Sequence, residues 1–331
     1  MRIAVDALGG DHAPHEILKG VAIALREGGF SSDELVLVGP EETITKALKE
    51  EGVADIPTIV HTEEVIEGHE KPVVGLRTKP NSSISLCVKT VRAGEADGLI
   101  AFGNTGATVA AATMGLGMLP GIRRPGIAVT LLGRGGRFVL LDAGANPTPK
   151  PEHLFQYSLM GAAMSKDLLG CDNPRIGLLN IGGEAGKGSE VIRDTYKTLE
   201  ASGLNFIGNV EGNQLFEDKA DVFVADGFVG NMVLKVVEGF AEYLVQSAAK
   251  SEKGDGVRDV LRDMLGASDF SEVGGATLLG VNGVVLIGHG RSHASAVLPA
   301  LRAVKADIEA GVNHHIVESL ASHGAEDLSS S

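Results

Sequence analysis

Ile176-Gly177-Leu178-Leu179-Asn180-Ile181-Gly182-Gly183-Glu184-Ala185-Gly186-Lys187-Gly188 is an apolar run that stops abruptly in glycines broken by Asn, Glu and Lys. The run from Ile176 to Asn180 is apolar at successive positions, so it reads as a strand buried on both faces, as in parallel sheets. The cluster after it has the composition of a loop whose backbone must approach something closely. It is not a nucleotide-hydrolysing P-loop. That pattern needs four residues between its first Gly and the Gly-Lys pair, then Ser or Thr. Here Gly182 leaves three before Gly186-Lys187, and Gly188 follows.

The same arrangement recurs in both directions along the chain. Asp6-Ala7-Leu8-Gly9-Gly10-Asp11-His12 follows the strand starting at Ile3, and Gly103-Asn104-Thr105-Gly106 follows Gly98 to Phe102. Asp142-Ala143-Gly144-Ala145-Asn146, Asn209-Val210-Glu211-Gly212, Asp226-Gly227-Phe228-Val229-Gly230-Asn231 and Gly288-His289-Gly290 complete the set. Between the strands lie amphipathic segments. Ile17, Leu18, Val21, Ala22 and Leu25 form one apolar helical face, and Pro151 and Ser189 open further helices. Strands alternating with helices predict an α/β fold, a largely parallel sheet with helices on both faces. In such sheets the strand C-terminal ends share an edge where ligands bind, so the seven clusters are predicted to converge on one cleft. Loops that open helices present free N–H groups and the positive end of the helix, which favours a phosphate. Gly103-Asn104-Thr105-Gly106 does not complete a dinucleotide-binding GxGxxG, which argues against a nicotinamide cofactor.

Composition narrows the function further. With 43 acidic and 29 basic side chains the net charge is −14, so the chain as a whole repels nucleic acid, and an anionic partner must meet a local basic patch. Aromatics are 4% with no Trp, which speaks against a base-stacking surface. Cys87 and Cys171 form no metal-binding pattern, so neither metal nor disulfide is expected. With no signal peptide and no membrane-spanning run in the sequence, the expected compartment is the cytoplasm. The chain reads as one α/β catalytic domain over 1–320, as a single body or two intimate lobes. It carries a protruding helical hairpin over 228–266 and a disordered tail over 321–331. On the first hairpin helix Val233, Val236, Val237, Phe240, Leu244 and Val245 form an apolar stripe, suited to a core or dimer face more often than to a bilayer face, with room for both on different parts of the hairpin.

Taken together, the clusters resemble the PlsX family of phosphate acyltransferases. The resemblance rests on Asp6 to Pro14, Gly103 to Ala107, Leu141 to Asn146, Gly177 to Gly182, Gly208 to Gly212 and Asp226 to Asn231. It extends through Lys71-Pro72, Ser82-Ser83 and Leu279 to Val285. This sequence departs at Leu8, where the family often has Met, at Gly183, where an acidic residue is common, and at Gly288, where Ser is frequent. The resemblance implies a fold related to phosphotransacetylases and isopropylmalate dehydrogenases. It implies transfer of a long-chain acyl group from acyl carrier protein to inorganic phosphate, giving acyl phosphate for a downstream glycerol-3-phosphate acyltransferase of phospholipid synthesis. A homodimer and peripheral membrane contact through the hairpin are implied as well, and no cofactor.

For this chemistry Lys187 is expected at the phosphate or the developing oxyanion, with Asn231 and Asn104 as neutral donors and His12 as acid for the departing thiolate. The substrate-binding edge would comprise Asp6, Gly9, Gly10, Asp11, Gly103, Asn104, Thr105, Gly106, Asp142 and Asn146. Asn180, Gly182, Glu184, Asn209, Glu211, Asp226, Gly227 and His289 complete it. Asp6, Asp142 and Asp226 are read as loop-fixing through backbone N–H bonds. Arg123 and Arg124, or Lys250, Lys253, Arg258 and Arg262 around the hairpin, could receive an acidic carrier. Rival readings are a short-chain phosphotransacetylase using acyl-CoA, a metal- and nicotinamide-dependent dehydrogenase, and an inactive scaffold.

Overall fold

The computed structural model describes residues 1–249 and 275–323. The second hairpin helix expected near 257–265, the candidate cations Lys250, Lys253, Arg258 and Arg262, and the tail from 324 lie outside the described residues. In chain order the elements are β1 (Ile3–Asp6), α1 (His15–Arg26), β2 (Leu35–Gly39), α2 (Glu41–Glu50), β3 (Thr58–His61), α3 (Pro72–Thr78), α4 (Ser83–Arg92), β4 (Gly98–Ala101) and α5 (Thr105–Gly115). Then come β5 (Gly126–Gly133), β6 (Gly136–Leu141), α6 (Pro151–Leu169), β7 (Ile176–Asn180), α7 (Glu190–Ala201), β8 (Phe206–Glu211), β9 (Val222–Val224) and α8 (Gly227–Ala249). β10 (Ala276–Leu279), β11 (Val284–Ile287), α9 (Ala294–Ala310) and α10 (Val312–Ser322) follow.

The chain divides into two compact units. The first holds Met1–Gly117 and Ser271–Glu309. Its strands run in the order β3-β2-β1-β4-β11-β10, parallel except that β10 runs against β11. Strand residues alternate between faces, and both faces of the central strands are covered, which is why β2, β4 and β11 are apolar along their length, whereas the edge strand β3 exposes Thr58 and His61. Ile3, Val5, Leu35, Leu37, Ile100 and Leu286 pack with Ile17 and Val21 of α1, Ile44 and Leu48 of α2, and Val297, Leu301 and Val304 of α9. On the sheet residues between them, α4 lies against β1, β2 and β4. Ser82 stands at the N-cap of α4, but its hydroxyl pairs with Ser85 Oγ at 2.8 Å and not with a backbone N–H.

The second unit holds Met118–Phe270 and Ala310–Ser331. Its strand order is β5-β6-β9-β7-β8. β5 and β6 form an antiparallel hairpin, and β6, β9, β7 and β8 are mutually parallel. The long helix α6 is buried from His153 to Gly161 and covers β6 and β9, with α7 and α10 packed against it. The buried phenol of Tyr157 is pushed above the ordinary tyrosine range by burial.

The stripe expected on α8 divides. Val233, Val237 and Leu244 are half-buried, whereas Val236 and Phe240 are exposed with Phe228, Met232 and Tyr243. Among the described residues no helix is long and apolar enough to cross a membrane.

Candidate active site

Because β1, β4 and β11 are parallel, the loops after them leave the first unit along one edge. They touch. Asp11 N donates to Gly290 O at 2.8 Å, joining the first loop to the one after β11. Gly9 lies so close to the loop after β4 that a side chain there would meet Gly103 N at 2.9 Å. Asp6 is buried and its Oδ1 accepts from Leu8 N and Gly9 N, both at 3.0 Å. Burial raises its carboxyl above the usual range despite those bonds and the nearby Ser83 side chain, whose own hydroxyl stops short of hydrogen-bond geometry. His12 is exposed and stacks on His293 with ring centroids 4.7 Å apart. His289 is also exposed, and its Nδ1 accepts from Arg291 N at 3.2 Å.

Asn104 requires a correction. Its expected role was a neutral donor to substrate, but its Nδ2 faces the carbonyls of Glu67, Gly68 and Glu70 at 3.0–3.3 Å. Its Oδ1 accepts from Ala107 N at 3.0 Å, capping α5. The side chain is a clamp between the 67–70 loop and the helix that Thr105 and Gly106 begin. The same loop is held by Glu70, whose carboxylate the Lys79 ammonium keeps below its usual range.

In the second unit, the C-terminal ends of β6, β9, β7 and β8 bring four of the expected clusters to one edge. Asp142 organises the first of them. Its Oδ1 accepts from Ile127 N, Gly144 N and Ala145 N at 2.9–3.0 Å, and its Oδ2 from Asn146 N at 2.7 Å. Desolvation nevertheless outweighs these bonds and raises its carboxyl. Asn146 O then accepts from Gly227 N at 2.9 Å, tying this loop to the start of α8, where Asp226 Oδ1 accepts from Val229 N at 2.7 Å. Asn231, one turn into α8, lies over Gly144, and its exposed amide makes no hydrogen bond among the described residues.

The loop after β7 is braced at both ends. Asn180 Nδ2 donates to Lys187 O at 3.1 Å while its Oδ1 accepts from Ile181 N at 2.8 Å. Asn209 Nδ2 donates to Glu184 O at 2.8 Å, and its Oδ1 is buried without a partner among the described residues. Lys187 is exposed, its stem lies against buried Gly182, and its ammonium forms no ion pair among the described residues. The loop then enters α7, whose N-cap Ser189 accepts from Ile192 N. Glu211 closes the next loop by donating its backbone N–H to Gln214 Oε1. One free cation, one free amide and the N-termini of two helices therefore share this edge, an arrangement suited to an oxyanion or phosphate. Among the described residues no three His, Cys, Asp or Glu side chains are grouped as metal ligands.

Sequence reasoning missed Tyr157, which supports the Asp142 loop from beneath. Its hydroxyl donates to Pro125 O at 3.1 Å and lies 3.4 Å from Asn146 Nδ2. A tyrosine inside an otherwise apolar helix is the available signal, since a buried hydroxyl needs a partner.

Parallel strands whose Gly- and Asn-rich ends carry helix N-termini define a phosphate-binding α/β enzyme fold, and solved structures share it. A phosphotransacetylase from Streptococcus pyogenes superposes with TM-score 0.63 at 19% identity, covering 94% of both chains. A branched-chain phosphotransacylase from Enterococcus faecalis V583 gives 0.60 at 16%, covering 93% of this chain and 99% of its own. At such identities the likeness is one of fold. Sequence is more specific: the family described as Fatty acid synthesis protein matches residues 1–315. A curated relative, the phosphate acyltransferase of Desulfitobacterium hafniense (strain DSM 10664 / DCB-2), is 44% identical over 97% of this chain and 98% of its own. The chain belongs to this fatty acid synthesis protein family of phosphate acyltransferases, and it is an acyltransferase.

Proposed function

We propose that this chain transfers a long-chain fatty acyl group from the thioester of acyl carrier protein to inorganic phosphate, giving acyl phosphate for phosphatidic acid synthesis. The observation that carries the reading is the free Lys187 ammonium and free Asn231 amide on one strand edge beside two helix N-termini. Phosphate is already anionic at neutral pH, so the protein's task is to hold it against the thioester carbonyl. A phosphate oxygen attacks the carbonyl carbon, and the carbonyl π electrons move to oxygen. The tetrahedral oxyanion collapses with loss of the thiolate. Lys187 neutralises charge on the phosphate or the oxyanion, and Asn231 donates to the same charge. His12 is the acid proposed for the thiolate. The product would pass to a glycerol-3-phosphate acyltransferase.

The working form proposed is a cytoplasmic homodimer that touches the membrane peripherally through the hairpin. Acyl-phosphate formation from long-chain acyl carrier protein and phosphate tests the reaction. Lys187→Ala should lower kcat/KM for phosphate by about 10²-fold or more while leaving the fold intact. A variant as active as the native chain would remove Lys187 from the site. A native chain active only on acetyl-CoA would replace this reading with a short-chain phosphotransacetylase.

A further inference from the structure

Just before β5, the segment Leu119-Pro120-Gly121-Ile122-Arg123-Arg124-Pro125 carries two exposed guanidiniums. Neither has an ion-pair partner among the described residues, although acidic side chains outnumber basic ones 43 to 29. An acidic chain offers many carboxylates to an arginine, so two adjacent unpaired ones are notable.

The segment is also rigidly mounted. Gln156 of α6 is buried, and its amide grips the loop twice: Oε1 accepts from Arg123 N at 2.9 Å, and Nε2 donates to Gly121 O at 2.8 Å. Tyr157 donates to Pro125 O at 3.1 Å. Two buried polar side chains of one helix thus hold the backbone on which the arginines stand. A mere solvated turn needs no such support.

The neighbouring side chains are His153, Lys150 and Glu152. His153 is kept below its ordinary pKa chiefly by burial; Glu152 opposes the shift, and Arg124, Lys150 and Arg123 add to it. Its Nδ1 accepts from Lys150 N at 3.0 Å, which suits the neutral ring. Glu152 also lies in the patch, 3.7 Å from Lys150 Nζ and 3.9 Å from His153 Nε2, leaving the guanidiniums to other partners. β5 is antiparallel to β6, so its N-terminal end lies at the edge formed by the C-terminal end of β6. Ile127 N on Asp142 Oδ1 fixes that proximity.

We propose that the Arg123–Arg124 loop is the docking point for the acidic face of the acyl carrier, seating the donor protein beside the edge that holds Asp142, Asn146 and Asn231. Guanidiniums pair with carboxylates in a two-pronged geometry, and a preformed loop loses little entropy on binding. An anionic bilayer is the poorer match, because surface attachment draws on clusters of about 4–8 cations. The inference rests on the proposed carrier-linked donor.

The test compares the native chain, Arg123→Glu/Arg124→Glu and the exposed control Lys46→Glu in steady-state acyl-phosphate synthesis. Direct binding of apo acyl carrier protein is measured alongside. The double reversal should raise KM for the carrier thioester by about tenfold or more, with kcat and phosphate KM within about twofold of native and Lys46→Glu unchanged. Carrier KM should climb with salt between about 0.05 and 0.3 M for the native chain and lose that dependence in the double variant. Circular dichroism confirms that the exposed substitutions leave the fold intact. A raised phosphate KM with unchanged carrier KM overturns the docking assignment and puts the arginines on the reacting phosphate. Unchanged carrier binding with lost sedimentation on phosphatidylglycerol vesicles overturns it in favour of a membrane contact. If the native chain makes no acyl phosphate, the proposed reaction falls, and the apo-carrier binding comparison still decides the docking surface.

Discussion

Asp142 illustrates how a single carboxylate can shape the edge through backbone N–H groups. Its oxygens accept N–H groups from Ile127, Gly144, Ala145 and Asn146, so its place is that of a positioning residue. Asp142→Asn keeps the shape but turns an NH2 group towards one of those donors. The expected loss is about 1–3 kcal/mol in urea unfolding, with weaker phosphate binding. No loss would mean that the loop is held by other contacts. Asp221 gives a pH test of opposite sign. Arg175 donates to it through its backbone N at 2.7 Å, Nε at 3.0 Å and Nη2 at 2.9 Å, and these bonds hold its carboxyl below the ordinary range. A depressed folded pKa contributes stability above the unfolded value, near 3.9, and loses it as pH falls through the folded value. The stability gap between native chain and Asp221→Asn should therefore be largest at neutral pH and narrow as pH falls below the ordinary carboxylate range. A gap independent of pH would show that the carboxylate's charge is not what matters.

At the scale of elements, α8 carries two glycines with opposite demands. Gly230 is pressed against the Asp142 carbonyl, closer than any side chain would allow, whereas a side chain at Gly239 would meet nothing among the described residues. Gly230→Ala must push the helix off the Asp142–Asn146 loop. It is expected to lower both thermal stability and kcat/KM for phosphate by displacing Asn231. Gly239→Ala should instead stabilise by about 0.5–1 kcal/mol, the helix-propensity difference, with activity retained. Equal effects would refute the close contact. Elements that the sequence displayed clearly have a one-faced pattern or a strand ending in a turn cluster, as α1 and β7 do. α5 was hidden because its Ala-, Thr- and Gly-rich sequence is apolar on all sides and shows no contrast between faces, although Ala107, Thr108, Ala111 and Ala112 form its buried face. β10 escaped notice because Ala276 to Leu279 is a short run between glycines, and antiparallel pairing with β11 needs no intervening helix. α10 begins directly after Gly311, whose positive φ of 66° separates it from α9.

For the molecule as a whole, the loop clusters were legible because Gly and Asn after a buried strand have few other uses. Strand order was not, since β11 joins β4 across nearly two hundred residues of sequence. The Asn104 clamp was hidden for the same reason: its partners Glu67, Gly68 and Glu70 are 34–37 positions away. The proposed homodimer makes its own demand on the surface. Phe228, Met232, Val236, Phe240 and Tyr243 recur at four- and three-residue steps along α8, each more than half exposed. Solvent is a poor neighbour for such a stripe, and a second copy of the chain can cover it without any added charge. Val236→Glu/Phe240→Glu places two carboxylates on that face of each subunit, and a symmetric seam would bring up to four together. Light scattering should then show a monomer where the native chain shows a dimer, because like charges in a desolvated seam have no compensating partner. A variant that remains dimeric but no longer floats with liposomes would assign the stripe to lipid and move the dimer seam elsewhere.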